Sequence, residues 1–86
     1  MPEISRFFGI VIKMFWNDHF PPHFHAYYAG DEALVEITTL SIFAGHLPPR
    51  AIGLVVEWAA LHQAALIENW RRSREMETLQ SIEPLG

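Results

Sequence analysis

The chain has 86 residues, 50% of them apolar, with 6 basic and 10 acidic side chains, a formal charge of -4 and no cysteine. That length supports one small domain with a single core. The missing cysteine excludes disulfides, thiolate zinc sites and a cysteine nucleophile, so a bound metal would need nitrogen and oxygen ligands, and the acidic balance argues against a chain whose main task is gripping phosphate backbones.

The start, Met1-Pro2-Glu3-Ile4, lacks a basic segment followed by a long apolar run. The apolar stretch from Phe7 to Trp16 is interrupted by Gly9 and Lys13, so neither a signal peptide nor a membrane span is expected, and cytoplasm is the expected location. Residues 7–16 are rich in aromatic and β-branched side chains, and Ile10, Ile12, Met14 and Trp16 alternate with Gly9, Val11, Lys13 and Phe15. That pattern predicts a strand with its Ile10 face inward. Pro21-Pro22 cannot donate to a ladder and marks a connection, after which His23 to Ala29 forms a second strand. Ala29-Gly30-Asp31-Glu32 signals a tight turn, Ala33 to Thr39 alternates as a third strand, and Ser41 to Ala44 adds a short fourth.

From Pro48-Pro49 to about Arg74 the pattern changes to one long helix, with proline suited to its first turn. At 100° per residue, Ala51, Leu54, Val55, Trp58, Leu61, Ala65 and Leu66 form a broad stripe that should cover the sheet, and the tail lies along the core through Ile82 and Leu85. The expected fold is α+β: a small antiparallel β-meander of three or four strands over residues 7–44, packed against one long C-terminal α-helix over residues 48–74, all in a single domain over residues 1–86.

The segment Asn17-Asp18-His19-Phe20-Pro21-Pro22-His23-Phe24-His25 holds three of the chain's 5 histidines. Imidazole is the commonest metal ligand and the side chain that changes charge near neutral pH, so the cluster suits a metal site or an acid-base site. In the first chemistry, His23 and His25 project to one side of a strand and His19 completes a divalent-metal site, zinc foremost; Asp18 orients a histidine or supplies a ligand. In the second, His23 and His25, with His19, act as general base and acid, and Arg6 or Arg50 supplies the cation for cleavage of RNA. A hydrogen-bonded histidine cluster without metal fits the same residues.

His62 and Asn69 fall inside the apolar stripe, so both should face the sheet. If the histidine face of the second strand meets the helix, His62 joins His23 and His25 in a partly buried cluster; if the Phe24 face does, the histidine pair is exposed. His46 reads as a solvated loop residue. Arg71, Arg72 and Arg74 make a local basic patch, suited either to an acidic partner or RNA, or to a solvated helix end. Phe7, Phe8, Phe15, Trp16, Phe24, Tyr27 and Tyr28 suit a core or a base-stacking platform, and Ile52, Val56 and Ile67 leave apolar surface for a partner or a homo-oligomer.

The combination of Pro2-Glu3-Ile4-Ser5-Arg6-Phe7-Phe8-Gly9-Ile10-Val11-Ile12, Asp18-His19, Pro21-Pro22-His23-Phe24-His25, Leu47-Pro48-Pro49-Arg50-Ala51, Glu57-Trp58 and Glu68-Asn69-Trp70 resembles the domain of unknown function 4160 family from one end of the chain to the other. The resemblance implies a short bacterial protein, encoded beside a small partner of the domain of unknown function 2442 family and proposed to form a toxin-antitoxin pair. It implies no established reaction. The resulting expectation is a toxin-like component that acts through a protein partner and through RNA cleavage at the histidines. The alternatives are a non-catalytic interaction or oligomerisation module, and a metal-dependent hydrolase that uses His19, His23 and His25.

Overall fold

The computed structural model describes residues 2–86. Five antiparallel strands, β1 (Glu3–Phe7), β2 (Ile10–Lys13), β3 (His23–Tyr28), β4 (Asp31–Glu36) and β5 (Ile42–Gly45), lie in one sheet in chain order. Two helices follow, α1 (Pro49–Leu61) and α2 (Gln63–Arg74). The α+β class and the meander agree with the sequence, but the strand expected over residues 7–16 is confined to β2, and β1, which precedes it as the other half of a hairpin, makes the sheet five-stranded where three or four strands were expected.

The split has a local cause at Phe8-Gly9, where both residues have positive φ, 50° and 80°. Two left-handed residues between the paired Phe7 and Ile10 make a two-residue turn whose twist matches that of the flanking strands. Ala29-Gly30, at 51° and 86°, repeats the device between Tyr28 and Asp31. Because this second turn is so tight, it fixes Tyr27 opposite Glu32 and His25 opposite Leu34. Glu32 then stands two pairs along the ladder from His25, within diagonal reach on the same face.

Alternation sends Ile10, Ile12 and Met14, with Phe24, Ala26, Ala33 and Val35, into the core as expected. Trp16 breaks the series and is partly exposed, donating from Nε1 to the Glu77 carbonyl. Trp58 of α1 is fully buried against Phe7 and Phe24, with ring centroids at 5.3 and 5.7 Å, so the Phe24 face is the one that meets this helix. Phe7 and Phe24 are therefore core residues and form no exposed stacking platform.

The long helix is the second correction, since α1 and α2 meet at an angle of 84° across His62. His62 leaves helical geometry at φ -128°, and its N–H donates to the Ala59 carbonyl. Polar anchors beyond the bend hold the new direction: Gln63 Nε2 donates to the carbonyl of Ile37 at 2.9 Å, and buried Asn69 exchanges two 2.9 Å hydrogen bonds with the backbone of Gln80. A straight continuation would forfeit them. The predicted stripe accordingly stops at Trp58, leaving Leu61 69% exposed and Ala65 outside the core, whereas Leu66 and Trp70 are buried on α2.

The tail lies along the core as predicted, with Ile82 buried, Leu85 partly so, and the Ile82 N–H bonded to the Ile4 carbonyl at 2.8 Å. Asn69 pins this segment to α2. We expect Asn69→Ala to lower the free energy of unfolding by about 2 kcal/mol, because two backbone groups lose their partner. Urea denaturation checks this: an unshifted midpoint would mean that the Asn69 bonds do not hold the tail.

Candidate metal centre

Strand β3 carries the site. Alternation points Phe24 and Ala26 into the core and puts His23 and His25 on the opposite face. The histidine pair is nevertheless not exposed, contrary to the expectation for this arrangement. His23 retains only 3% of its exposure, because α2, turned away from α1, brings Trp70 to 5.4 Å from its ring while Phe43 of β5 stands at 5.2 Å on edge. Phe15 meets His25 edge-on at 4.7 Å, and Tyr27 stacks beside it at 6.3 Å.

The loop between β2 and β3 supplies the third group. Its Asn17 N–H donates to the Ser73 carbonyl near the end of α2, and Arg74 Nη1 donates to the Asp18 carbonyl. So held, Asp18 places one oxygen, Oδ2, 3.1 Å from His23 Nε2 and 3.0 Å from His25 Nε2. Among the described residues, Asp18, His23 and His25 form a group whose nearest nitrogen and oxygen atoms all lie within 4.8 Å of one another.

The other ring nitrogens decide the protonation. His23 Nδ1 lies 2.7 Å from the Pro21 carbonyl, and His25 Nδ1 lies 2.7 Å from Glu32 Oε2. A carbonyl and an ionised carboxylate only accept, so each Nδ1 carries the proton. In a neutral ring the opposite nitrogen, Nε2, then presents a lone pair, and both Nε2 atoms present theirs to an anionic oxygen. A bridging proton or a metal cation is what reconciles nitrogen and oxygen at these distances.

The carboxyls are set for this role. Burial raises the Asp18 carboxyl, but the hydrogen bond with His25, the His19 N–H at 2.9 Å and the two neighbouring imidazoles outweigh it and leave the group below its usual range. The hydrogen bond with His25 lowers Glu32 despite some burial. Burial, together with the hydrogen bond to Glu32, pushes the Tyr27 hydroxyl up to about 12, so Tyr27 stays neutral.

The remaining predicted residues lie elsewhere. The His19 side chain is exposed, and only its backbone N–H serves the site. His62 packs on Trp58 at 5.6 Å, on the core side of the fold, instead of joining the pair. Arg6 is paired with Glu3 at 2.9 Å, and Arg50 lines a separate cavity of about 340 Å³ with Phe8, Tyr28, Ala51 and Leu54. Arg71 bonds to Glu68, Glu75 and Glu77, and Arg72 to Glu68, which removes most of the basic patch. Glu32 was not among the sequence candidates.

A family model described as domain of unknown function (DUF4160) matches residues 9–71. The chain belongs to this family. The matched span of the DUF4160 domain contains Asp18, His23, His25 and Glu32, together with both helices as far as Arg71. No curated protein and no solved structure matches the chain. Among the described residues no single helix is long and apolar enough to cross a membrane.

Proposed function

We propose that this DUF4160 protein is a metal-dependent hydrolase whose divalent ion, zinc foremost, is held by Asp18 Oδ2, His23 Nε2 and His25 Nε2. The observation that carries the proposal is the convergence of two imidazole Nε2 atoms on one carboxylate oxygen, with each Nδ1 held against a fixed acceptor. Metal-bound histidines have this second partner almost without exception, a carbonyl or carboxylate that fixes the tautomer. Tetrahedral zinc about 2.1 Å from its ligands would hold neighbouring donors about 3.4 Å apart, so the nitrogen-to-oxygen distances of 3.1 and 3.0 Å need open only by a few tenths of an ångström to admit it.

Three protein ligands would leave positions for water and substrate, and an ion held by Asp18, His23 and His25 would supply Lewis acidity and an activated water. The protein residues fix the geometry: Glu32 and Pro21 orient the rings, Arg74 positions Asp18, and Trp70 and Phe43 limit water around His23. Acid-base catalysis by free histidines is less well supported, because all four ring nitrogens of His23 and His25 are engaged. Cleavage of RNA by a toxin-like component in a bacterial cytoplasm, the role implied by the family resemblance, would then run through the ion.

Calorimetric titration of untagged, metal-stripped protein with zinc tests the centre. Uptake of one equivalent is expected, and Glu32→Gln should weaken it by about 10- to 100-fold, the usual cost of removing the group that orients a ligand. A wild type that takes up no zinc, manganese or ferrous ion would end this reading.

A second reading, a partner-binding or self-associating module, is favoured by β5. This edge strand is exposed along its whole length and shows Ile42 and Phe43 to solvent. Exposed edges invite strand addition. Sedimentation should then show a dimer, whereas a monomer at high concentration would count against self-pairing.

A further inference from the structure

The mouth of the metal centre has its own chemistry. Of the three arginines near the end of α2, Arg71 and Arg72 are neutralised by Glu68, Glu75 and Glu77, but Arg74 makes no ion pair among the described residues. Its charge is spent on aromatic rings and on a neutral carbonyl: the guanidinium lies 4.8 Å from the Phe20 centroid and 5.9 Å from that of Trp70, and donates to Asp18. The one unpaired cation of this helix end is therefore bonded to the backbone of a proposed metal ligand.

Phe20 stands beside it with 68% of its surface exposed, although it belongs to the short loop that carries Asp18. Its ring is braced edge-on by Trp70 at 5.7 Å, and Trp70 in turn packs on His23. A braced, solvent-facing aromatic ring next to an unpaired arginine is the arrangement on which bases stack. Charge points the same way. With neutral imidazoles, the carboxylates of Asp18 and Glu32 outnumber Arg74 and repel an anion; a divalent ion reverses the local sign.

We infer that this mouth recognises a phosphate ester bearing a nucleobase, with the base on Phe20 and the phosphate between Arg74 and the metal position. The inference rests on the metal-centre reading and extends it to the substrate. A free nucleotide and a single strand of RNA share this chemistry.

The test compares adenosine monophosphate, a short fluorescein-labelled single-stranded RNA and inorganic phosphate as ligands for zinc-loaded and metal-stripped protein. Zinc-loaded wild type should bind the nucleotide or the RNA at least tenfold tighter than phosphate, and removing zinc should abolish that preference. Phe20→Leu should weaken base-bearing ligands about tenfold, the worth of one stacked base, and leave phosphate binding unchanged. Arg74→Gln should weaken all three, with partial recovery in Arg74→Lys. Zinc stoichiometry, measured on every variant, shows that the centre itself is intact.

Binding of RNA alone would identify the single strand as the source, and binding of the nucleotide alone the small molecule; either supports the inference. If the zinc-loaded protein shows no preference over phosphate, or if Phe20→Leu leaves the preference unchanged, the inference is overturned while the metal centre stands. If no zinc binds, both fall together.

Discussion

Asp18→Ala should reduce zinc affinity by more than about 100-fold, a larger loss than removal of an orienting group causes. Asp18 supplies the oxygen that both Nε2 atoms face, so its loss removes one ligand and the anion that balances the ion. The fold should survive, because Asp18 lies in a loop and is only partly buried. Calorimetry checks the affinity and circular dichroism the fold; retention of wild-type zinc affinity would move the ion, if any, away from this oxygen.

Acid should have two separable effects on the same residues. Zinc uptake weakens as pH falls, since protons compete with the ion for imidazole nitrogen. Stability responds through the carboxyls. Asp18 and Glu32 lie below their ordinary values of 3.8 and 4.5 in the folded chain, so the unfolded chain binds protons more readily. Their stabilisation is complete above those ordinary values and is lost as pH falls through the depressed ones. Urea midpoints of metal-stripped wild type should therefore fall on acidification through this range, and less steeply in Glu32→Gln.

The largest effect on stability is expected from Trp58→Ala, at about 3–5 kcal/mol. Trp58 is fully buried, touches Phe7 and Phe24, and donates from Nε1 to the Glu83 carbonyl at 2.8 Å. Its removal opens a cavity between sheet and helix and takes away one of the bonds that hold the tail. A thermal or urea midpoint near that of the wild type would contradict the assignment of Trp58 to the centre of the core.

Much of this architecture was legible from residue order. The alternation of Ile10, Ile12 and Met14 located the core face, Pro21-Pro22 the connection and Pro48-Pro49 the start of the helices, because each reflects a local constraint on the backbone. The hairpin at Phe8-Gly9 escaped notice because the apolar run continues through the turn; Gly9 was its one signal. The bend at His62 contains neither glycine nor proline and depends on distant carbonyls of Ile37 and Gln80, which no local pattern announces.

The site divides in the same way. His23 and His25 share a face by strand geometry alone, and their pairing was visible. Glu32 was within reach of inference as well: the two-residue turn at Ala29-Gly30 sets the ladder that brings it to the diagonal of His25. The position of Asp18 depends on how a loop docks against α2, and that docking is tertiary.

The bend between the helices has an evolutionary consequence. Core support through Trp58 belongs to α1, whereas Trp70, Ser73 and Arg74, the contacts that shape the site loop and His23, all belong to α2. Sequence drift in α1 should register as a change in melting temperature, whereas drift in α2, which also buries Leu66 and Asn69, should change what is bound and the melting temperature together. The trade between these two properties therefore falls on α2, and α1 carries stability without it.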